Sequence, residues 1–228
     1  MISHDELRAW SGPAGEGLAY FRPMICKKTV APGCIFLVGI NPATPVTPDD
    51  LDVDTYAGLL LDYDRFLAYY RQRRIDARKT ALSRTRTGMH SFIQWLAKAV
   101  PDPIVETNVI PYPTPRTKDL KKVPDWVKSQ AREIFVQLLQ RVQPRLLLLH
   151  GKDTVTETAE LLRNHRIANV HVDPRADIRA LEDQPTLFRF EWPGGGDCKA
   201  LACRHFMYYG ESGSSFAGFR GNVLRAAA

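Results

Sequence analysis

The sequence predicts an α/β domain: a three-layer α/β/α sandwich with a central, mainly parallel sheet of four to five strands. Short β-prone apolar runs stop abruptly at Pro or Gly, segments with a helical apolar period lie between them, and 228 residues with 44% hydrophobic content can bury one sizeable core. Strands alternating with helices of this length require right-handed crossovers, which make neighbouring strands parallel and lay helices on both faces of the sheet. A single domain over residues 1–228 is expected.

Residues 34–40, Cys-Ile-Phe-Leu-Val-Gly-Ile, read as a strand buried on both faces and stopped by Asn41-Pro42. Tyr56, Leu59, Leu60, Tyr63, Phe66, Leu67 and Tyr70 then fall on one face of a helix, and a second helix is expected near Met89 to Val100. Residues 104–110 form the second strand. Val127, Ala131, Ile134, Phe135, Leu138 and Val142 repeat the helical period behind a Pro124-Asp125 start. Residues 145–151 form the third strand, and Asp153-Thr154 caps a helix running through Leu162. Segments 167–172 and 186–192 are further strand candidates, and 199–203 is a short strand leading into His205. Gly194-Gly195-Gly196 reads as a turn and residues 210–215 as a flexible loop.

Lys plus Arg number 31 against 25 Asp plus Glu, a net charge of +6 that favours polyanionic partners. The longest apolar runs are far too short to cross a bilayer, and the opening residues lack the basic start and apolar middle of a signal peptide. A cytoplasmic monomer is expected, with no membrane association. Cys26, Cys34, Cys198 and Cys203 are too few and too scattered for a disulfide framework and read as free thiols. A metal site would have to combine Cys198, Cys203 and His205 with a distant ligand, and no Cys-x2-Cys pair is present, so no metal and no cofactor are expected.

In an open parallel sheet, ligands bind outside the carboxyl ends of the strands, where loops diverge and helix amino termini point. Asn41, Asn108, Gly151 and His205 share that rim in this reading. Two carboxamides and an imidazole offer paired donors and acceptors, but no strong general base, hydroxyl nucleophile or metal cage. The glycine-rich dinucleotide cradle, the phosphate loop and the Gly-x-Ser-x-Gly elbow are all missing from the sequence.

Gly39-Ile40-Asn41-Pro42 resembles the first motif of the mismatch-specific and thymine-type branch of the uracil-DNA glycosylase superfamily. Thr107-Asn108-Val109-Ile110-Pro111, followed by Pro113-x-Pro115-Arg116, resembles the Thr-Asn strand and Pro/Arg loop of its thermophilic branch. Residues 147–154 are similar to the strand-Gly-helix segment that comes next. The last motif, usually His-Pro-Ser, is matched by His205-Phe206-Met207, which keeps the histidine and loses the Pro-Ser pair. The resemblance covers residues 34–216. Thermophilic members hold an iron–sulfur cluster on four cysteines, one near the Pro/Arg loop; this chain has none there, so no cluster is expected.

The resemblance implies a DNA glycosylase of base excision repair, one that flips a nucleotide out of the stack and hydrolyses the N-glycosidic bond of uracil or a related deaminated base. Asn41 would hold the attacking water, Gly39, Ile40 and Pro42 would line the base, and His205 would donate to uracil O2 as charge develops. Asn108 would read the uracil edge, with Glu106 as the neighbouring alternative. Phe92 or Met89 would supply a platform for the ring. Arg86, Arg116, Lys118 and Lys152 would contact phosphates, and Tyr208 in the Met207-Tyr208-Tyr209 cluster would fill the gap left by the extruded base. Plainer readings stand beside these: an Asx turn at Asn41-Pro42, a loop-satisfying Asn108, a core His205 and solvated basic helix faces. Two rival functions also stand: a non-catalytic nucleic-acid or nucleobase-binding protein of the same fold, and an unrelated small-molecule enzyme.

Overall fold

The computed structural model describes residues 2–27 and 30–228. A capping box opens α1 (His4–Trp10): the Ser3 hydroxyl accepts from the Glu6 amide, and the Glu6 carboxylate accepts from the Ser3 amide. Among the described residues six strands follow: β1 (Met24–Cys26), β2 (Ile35–Gly39), β3 (Ile104–Asn108), β4 (Leu146–His150), β5 (Phe188–Glu191) and β6 (Asp197–Cys203). They form one sheet in the order β1-β3-β2-β4-β6-β5. The inner strands β3, β2, β4 and β6 are parallel, while β1 and β5 run antiparallel along the edges. The protein is thus α/β, with a mixed sheet whose centre is parallel.

The sheet has more strands than the four to five read from the sequence. Strand β1 spans three residues, too few to display a period, and is held by pairing with β3. Segment 167–172 is not a strand. The amides of Ile167 and Ala168 both donate to the Leu162 carbonyl at the end of α6 (Lys152–Asn164), so the chain turns back there without a neighbouring strand to pair with. Ile167 and Val170 are buried nonetheless, which explains the strand-like pattern.

The helical period across Tyr56 to Tyr70 belongs to two helices, α2 (Val53–Leu60) and α3 (Tyr63–Asp76). Asp62 makes the break by accepting hydrogen bonds from the amides of Asp64 and Arg65, so an N-cap overrides the continuity of the apolar face. Helix α4 (Arg84–Ala99) starts earlier than expected, capped by the Ser83 hydroxyl. Helix α5 (Asp125–Val142) begins at the Pro124-Asp125 signal. The N-cap of α6 is Gly151, whose φ of 94° disfavours any other residue; Thr154 lies inside the helix and donates to the His150 carbonyl. Helices α7 (Ile178–Glu182) and α8 (Ala217–Ala227) complete the chain.

Every residue of β2, β3 and β4 is buried, as expected of strands packed on both sides. Behind the sheet's carboxyl edge, Phe92, Phe206, Tyr209, Phe216 and Phe219 form one aromatic cluster. Gly88 of α4 abuts the backbone of the 3-10 turn Phe206–Tyr208, and a Cβ there would collide with the Phe206 carbonyl oxygen. That close approach fixes the position of the preceding residue, His205.

Candidate functional site

The chain leaves β2 for β3 on one side, then crosses to β4 on the other, so the direction of strand addition reverses at β2. Such a reversal opens a crevice beyond the carboxyl ends of the strands. The register levels those ends: Gly39 pairs with Asn108, Val38 with Leu149, and His150 with Cys203. At this edge lies a cavity of about 510 Å³, and Asn41, Asn108 and His205 all line it, as do Ile40, Pro42 and Arg116. Three of the polar groups expected from sequence therefore face one hollow, although they come from segments far apart in the chain.

The loop after β2 is built around a residue the sequence did not single out. Arg22 is 2% exposed and donates through Nη2 to the carbonyls of Ala43 and Thr44, both at 2.7 Å, while its guanidinium lies 5.1 Å from the Phe66 ring centroid. The loop after β3 runs alongside, with the Thr114 amide donating to the Pro42 carbonyl at 3.0 Å. Within this frame Asn41 Nδ2 donates to the Pro42 carbonyl at 3.1 Å and to Thr114 Oγ1 at 2.7 Å. A carbonyl can only accept, so the amide nitrogen must face Pro42; Oδ1 is then the end left to hold a ligand or water. Thr114 is locked in the accepting role because its own hydroxyl donates to the Arg116 carbonyl at 2.9 Å.

Gly39, expected beside Ile40 and Pro42, is not among the lining residues; Asn108 and His150 cover it. An ideal Cβ on it would sit 2.7 Å from Asn108 Oδ1 and 2.7 Å from His150 Nε2, so only glycine lets the two side chains lean together from the strands on either side. His150, which the sequence reading treated as the end of an apolar strand, also lines the cavity. It is 5% exposed, and neither ring nitrogen has a protein partner. An unsatisfied buried polar group costs about 1–3 kcal/mol, so this imidazole is expensive to keep. Burial, then the neighbouring His205 and Arg86, hold its pKa well below 6.5, so the ring is neutral. The two imidazoles meet edge to face, with centroids 5.2 Å apart.

His205 accepts a hydrogen bond at Nδ1 from the Met207 amide at 3.3 Å. That bond places the proton of the neutral ring on Nε2, and burial lowers the pKa so that the neutral form prevails at pH 7. A fixed N–H donor results. A local backbone bond thus orients the ring.

Arg86 is not a surface phosphate ligand. It is 7% exposed and paired in a bidentate arrangement with Glu106, which is 4% exposed; the Nη2–Oε1 distance is 2.8 Å. Burial alone would lower the Arg86 pKa, but Glu106 outweighs it and keeps the guanidinium charged. The aromatic rings of Tyr70 and Phe66 lie 5.3 and 5.7 Å from that guanidinium. Glu106 and Asn108 are two residues apart on one strand, so both face the cavity.

Phe92 does not line the cavity. It is fully buried in the aromatic cluster, 4.9 Å from Phe206 and 5.3 Å from Trp95, because its place on α4 turns it toward Phe206 rather than the strand ends. Met89, three residues earlier, does line the cavity. Lys118 and Lys152 are exposed and lie outside the lining, as does Tyr208, which is 61% exposed. Arg73, Arg74 and Lys79 contribute to the lining instead, giving a cationic side to the opening. Arg73 is paired with Asp50 at 2.8 Å, and Arg74 donates to the Thr80 carbonyl at 2.6 Å.

All four cysteines are free and buried, and burial pushes the thiols of Cys26 and Cys34 up to about 11 and about 12. Among the described residues no three His, Cys, Asp or Glu side chains converge to hold a metal ion. Also among the described residues, no helix is long and apolar enough to cross a membrane. Comparison with known families finds no family model that matches this chain, and no curated protein matches it.

Proposed function

We propose that this protein is a DNA glycosylase-like hydrolase that removes uracil or a related deaminated base from DNA. It would act as a cytoplasmic monomer on a three-layer α/β/α frame. The observation that carries the reading is the Asn41 carboxamide: its nitrogen is committed to Pro42 and Thr114, and its oxygen is left for the cavity that Asn108 and His205 also line.

In the proposed reaction the bond between C1′ of the sugar and the base nitrogen breaks, and its electron pair leaves with the base. Water oriented by Asn41 Oδ1 adds its oxygen to the oxocarbenium-like C1′. A carboxamide cannot take the water's proton at neutral pH, so that proton is lost after attack, when the oxygen bonded to C1′ has become strongly acidic. The His205 Nε2–H donates to the base oxygen on which negative charge grows. Glu106 would repel that anion were it alone; its pairing with Arg86 removes most of the repulsion. Arg74 and Lys79 at the opening suit flanking phosphates, whereas Arg73 and Arg116 are already paired with Asp50 and Asp119.

An oligonucleotide assay tests the reading. Folded protein, checked by calorimetry, should release at least one of uracil, hypoxanthine and xanthine from single- or double-stranded DNA; failure on all three in both forms overturns it. A second reading, a non-catalytic nucleic-acid or nucleobase-binding protein of the same fold, is favoured by the missing Pro-Ser after His205. Salt-dependent binding without base release would select it.

A further inference from the structure

We propose that His150 is a ligand-contacting residue of this cavity, one that acts with Asn108 to select rings carrying two carbonyl groups. The inference rests on the nucleobase reading above and deepens it.

Three observations converge on His150. The side chain is almost wholly buried, lines the cavity, and has no protein partner for either ring nitrogen. A further leucine after Leu146–Leu149 would fill much the same space without stranding a donor and an acceptor. Finally, His150 Nε2 and Asn108 Oδ1 each come within 2.7 Å of where a Cβ on Gly39 would stand, so the two side chains converge over that glycine, and both line the cavity.

The donor count indicates the ligand. Asn108 offers an NH2 and a carbonyl, the neutral His150 one N–H and one lone pair, and His205 an N–H whose place is set by Met207. With Asn41 Oδ1 given to the water of the proposed reaction, four N–H donors stand against two acceptor atoms, the Asn108 oxygen and one His150 nitrogen. A ring edge richer in carbonyl oxygen than in N–H complements that set: one carbonyl and its neighbouring N–H for Asn108, and a second carbonyl whose two lone pairs accept from the His150 and His205 imidazoles. Uracil and xanthine have two carbonyls, hypoxanthine one. Bases with an exocyclic amine present a donor where the cavity already has one.

The probes are free uracil, xanthine and hypoxanthine, titrated by calorimetry or NMR into the full chain and two variants, with unfolding midpoints measured alongside. His150→Leu should unfold at or above the wild-type midpoint, yet bind uracil and xanthine about tenfold more weakly, with a smaller loss for hypoxanthine. His150→Gln restores an acceptor and N–H donors and should recover affinity to within about threefold of wild type. Equal affinity in wild type and His150→Leu overturns the proposal, as does wild type binding none of the three bases. Loss of binding in both variants together with lowered midpoints assigns His150 a structural role and also overturns it. Excision assays on the same proteins keep the two ideas apart. Wild type and His150→Leu excising with the same KM sink the His150 inference alone, whereas His150-dependent base binding without excision sinks the glycosylase reading alone.

Discussion

Gly39 on β2 pairs in register with Asn108 on β3, and a Cβ at Gly39 would stand 2.7 Å from the Asn108 carboxamide oxygen. Glycine here creates space over the strand end rather than a turn. Gly39→Ala should therefore push Asn108 and His150 apart while the strand still forms. A cost of about 1–3 kcal/mol in stability is expected from overpacking, together with a loss of about 100-fold in kcat/KM from displaced polar groups. Urea denaturation and excision kinetics check the two effects; an alanine variant with wild-type kinetics would show that the space over Gly39 is not used.

Thr114, together with the Pro42 carbonyl, holds the nitrogen end of the Asn41 carboxamide and leaves its oxygen end free. Thr114→Val removes that acceptor and, under the proposed reaction, should lower kcat about tenfold with little change in KM, since only the water's orientation suffers. Asn41→Ala should cost at least about 100-fold in kcat. A rise in KM with kcat intact would instead assign Asn41 to binding.

The Arg86–Glu106 pair is buried from both sides, so breaking it strands a charge. Arg86→Met or Glu106→Leu alone should destabilise the fold by about 3–5 kcal/mol, and the double variant should regain most of that loss. A double-mutant cycle by urea denaturation measures the coupling. Additive single losses would mean that the two residues do not depend on one another.

The buried imidazole sets a pH dependence of stability. The His150 pKa in the folded protein lies well below 6.5, so between these two values the unfolded chain binds more protons than the folded one. Its contribution is complete above pH 6.5 and declines as pH falls below that value, by at most about 1.4 kcal/mol per pH unit for one group. His205 and His90 shift in the same direction. Urea midpoints between pH 8 and about 5.5 should fall for wild type and fall less steeply for His150→Leu. Identical slopes in the two proteins would exclude His150 as a source.

What the sequence determined by itself is the set of properties carried by local pattern. Continuous apolar runs marked β2, β3 and β4, and helical periods marked α5 and the stretch of α2 and α3, read there as one helix, because burial on both faces and the 3.6-residue repeat are each written within a few turns of chain. The end of an apolar run also locates a strand's carboxyl end, which is why Asn41, Asn108 and His205 were legible as residues of one rim. The tertiary structure decided everything that depends on a partner distant in sequence. Strand order made β2 the point of reversal, and β1 exists only because β3 offers it an edge. Arg86 reads as one more cation in a basic run until Glu106, twenty residues on, pairs with it inside the protein. Phe92 and Met89 share a helix, and only the packing of Phe206 against that helix assigns Phe92 to the core and leaves Met89 at the cavity. His150 looks like the last residue of a leucine strand until Gly39 and Asn108 are set beside it. Periodicity records whether a side chain is buried; which polar groups meet there is set by long-range packing, and that pairing decides the chemistry.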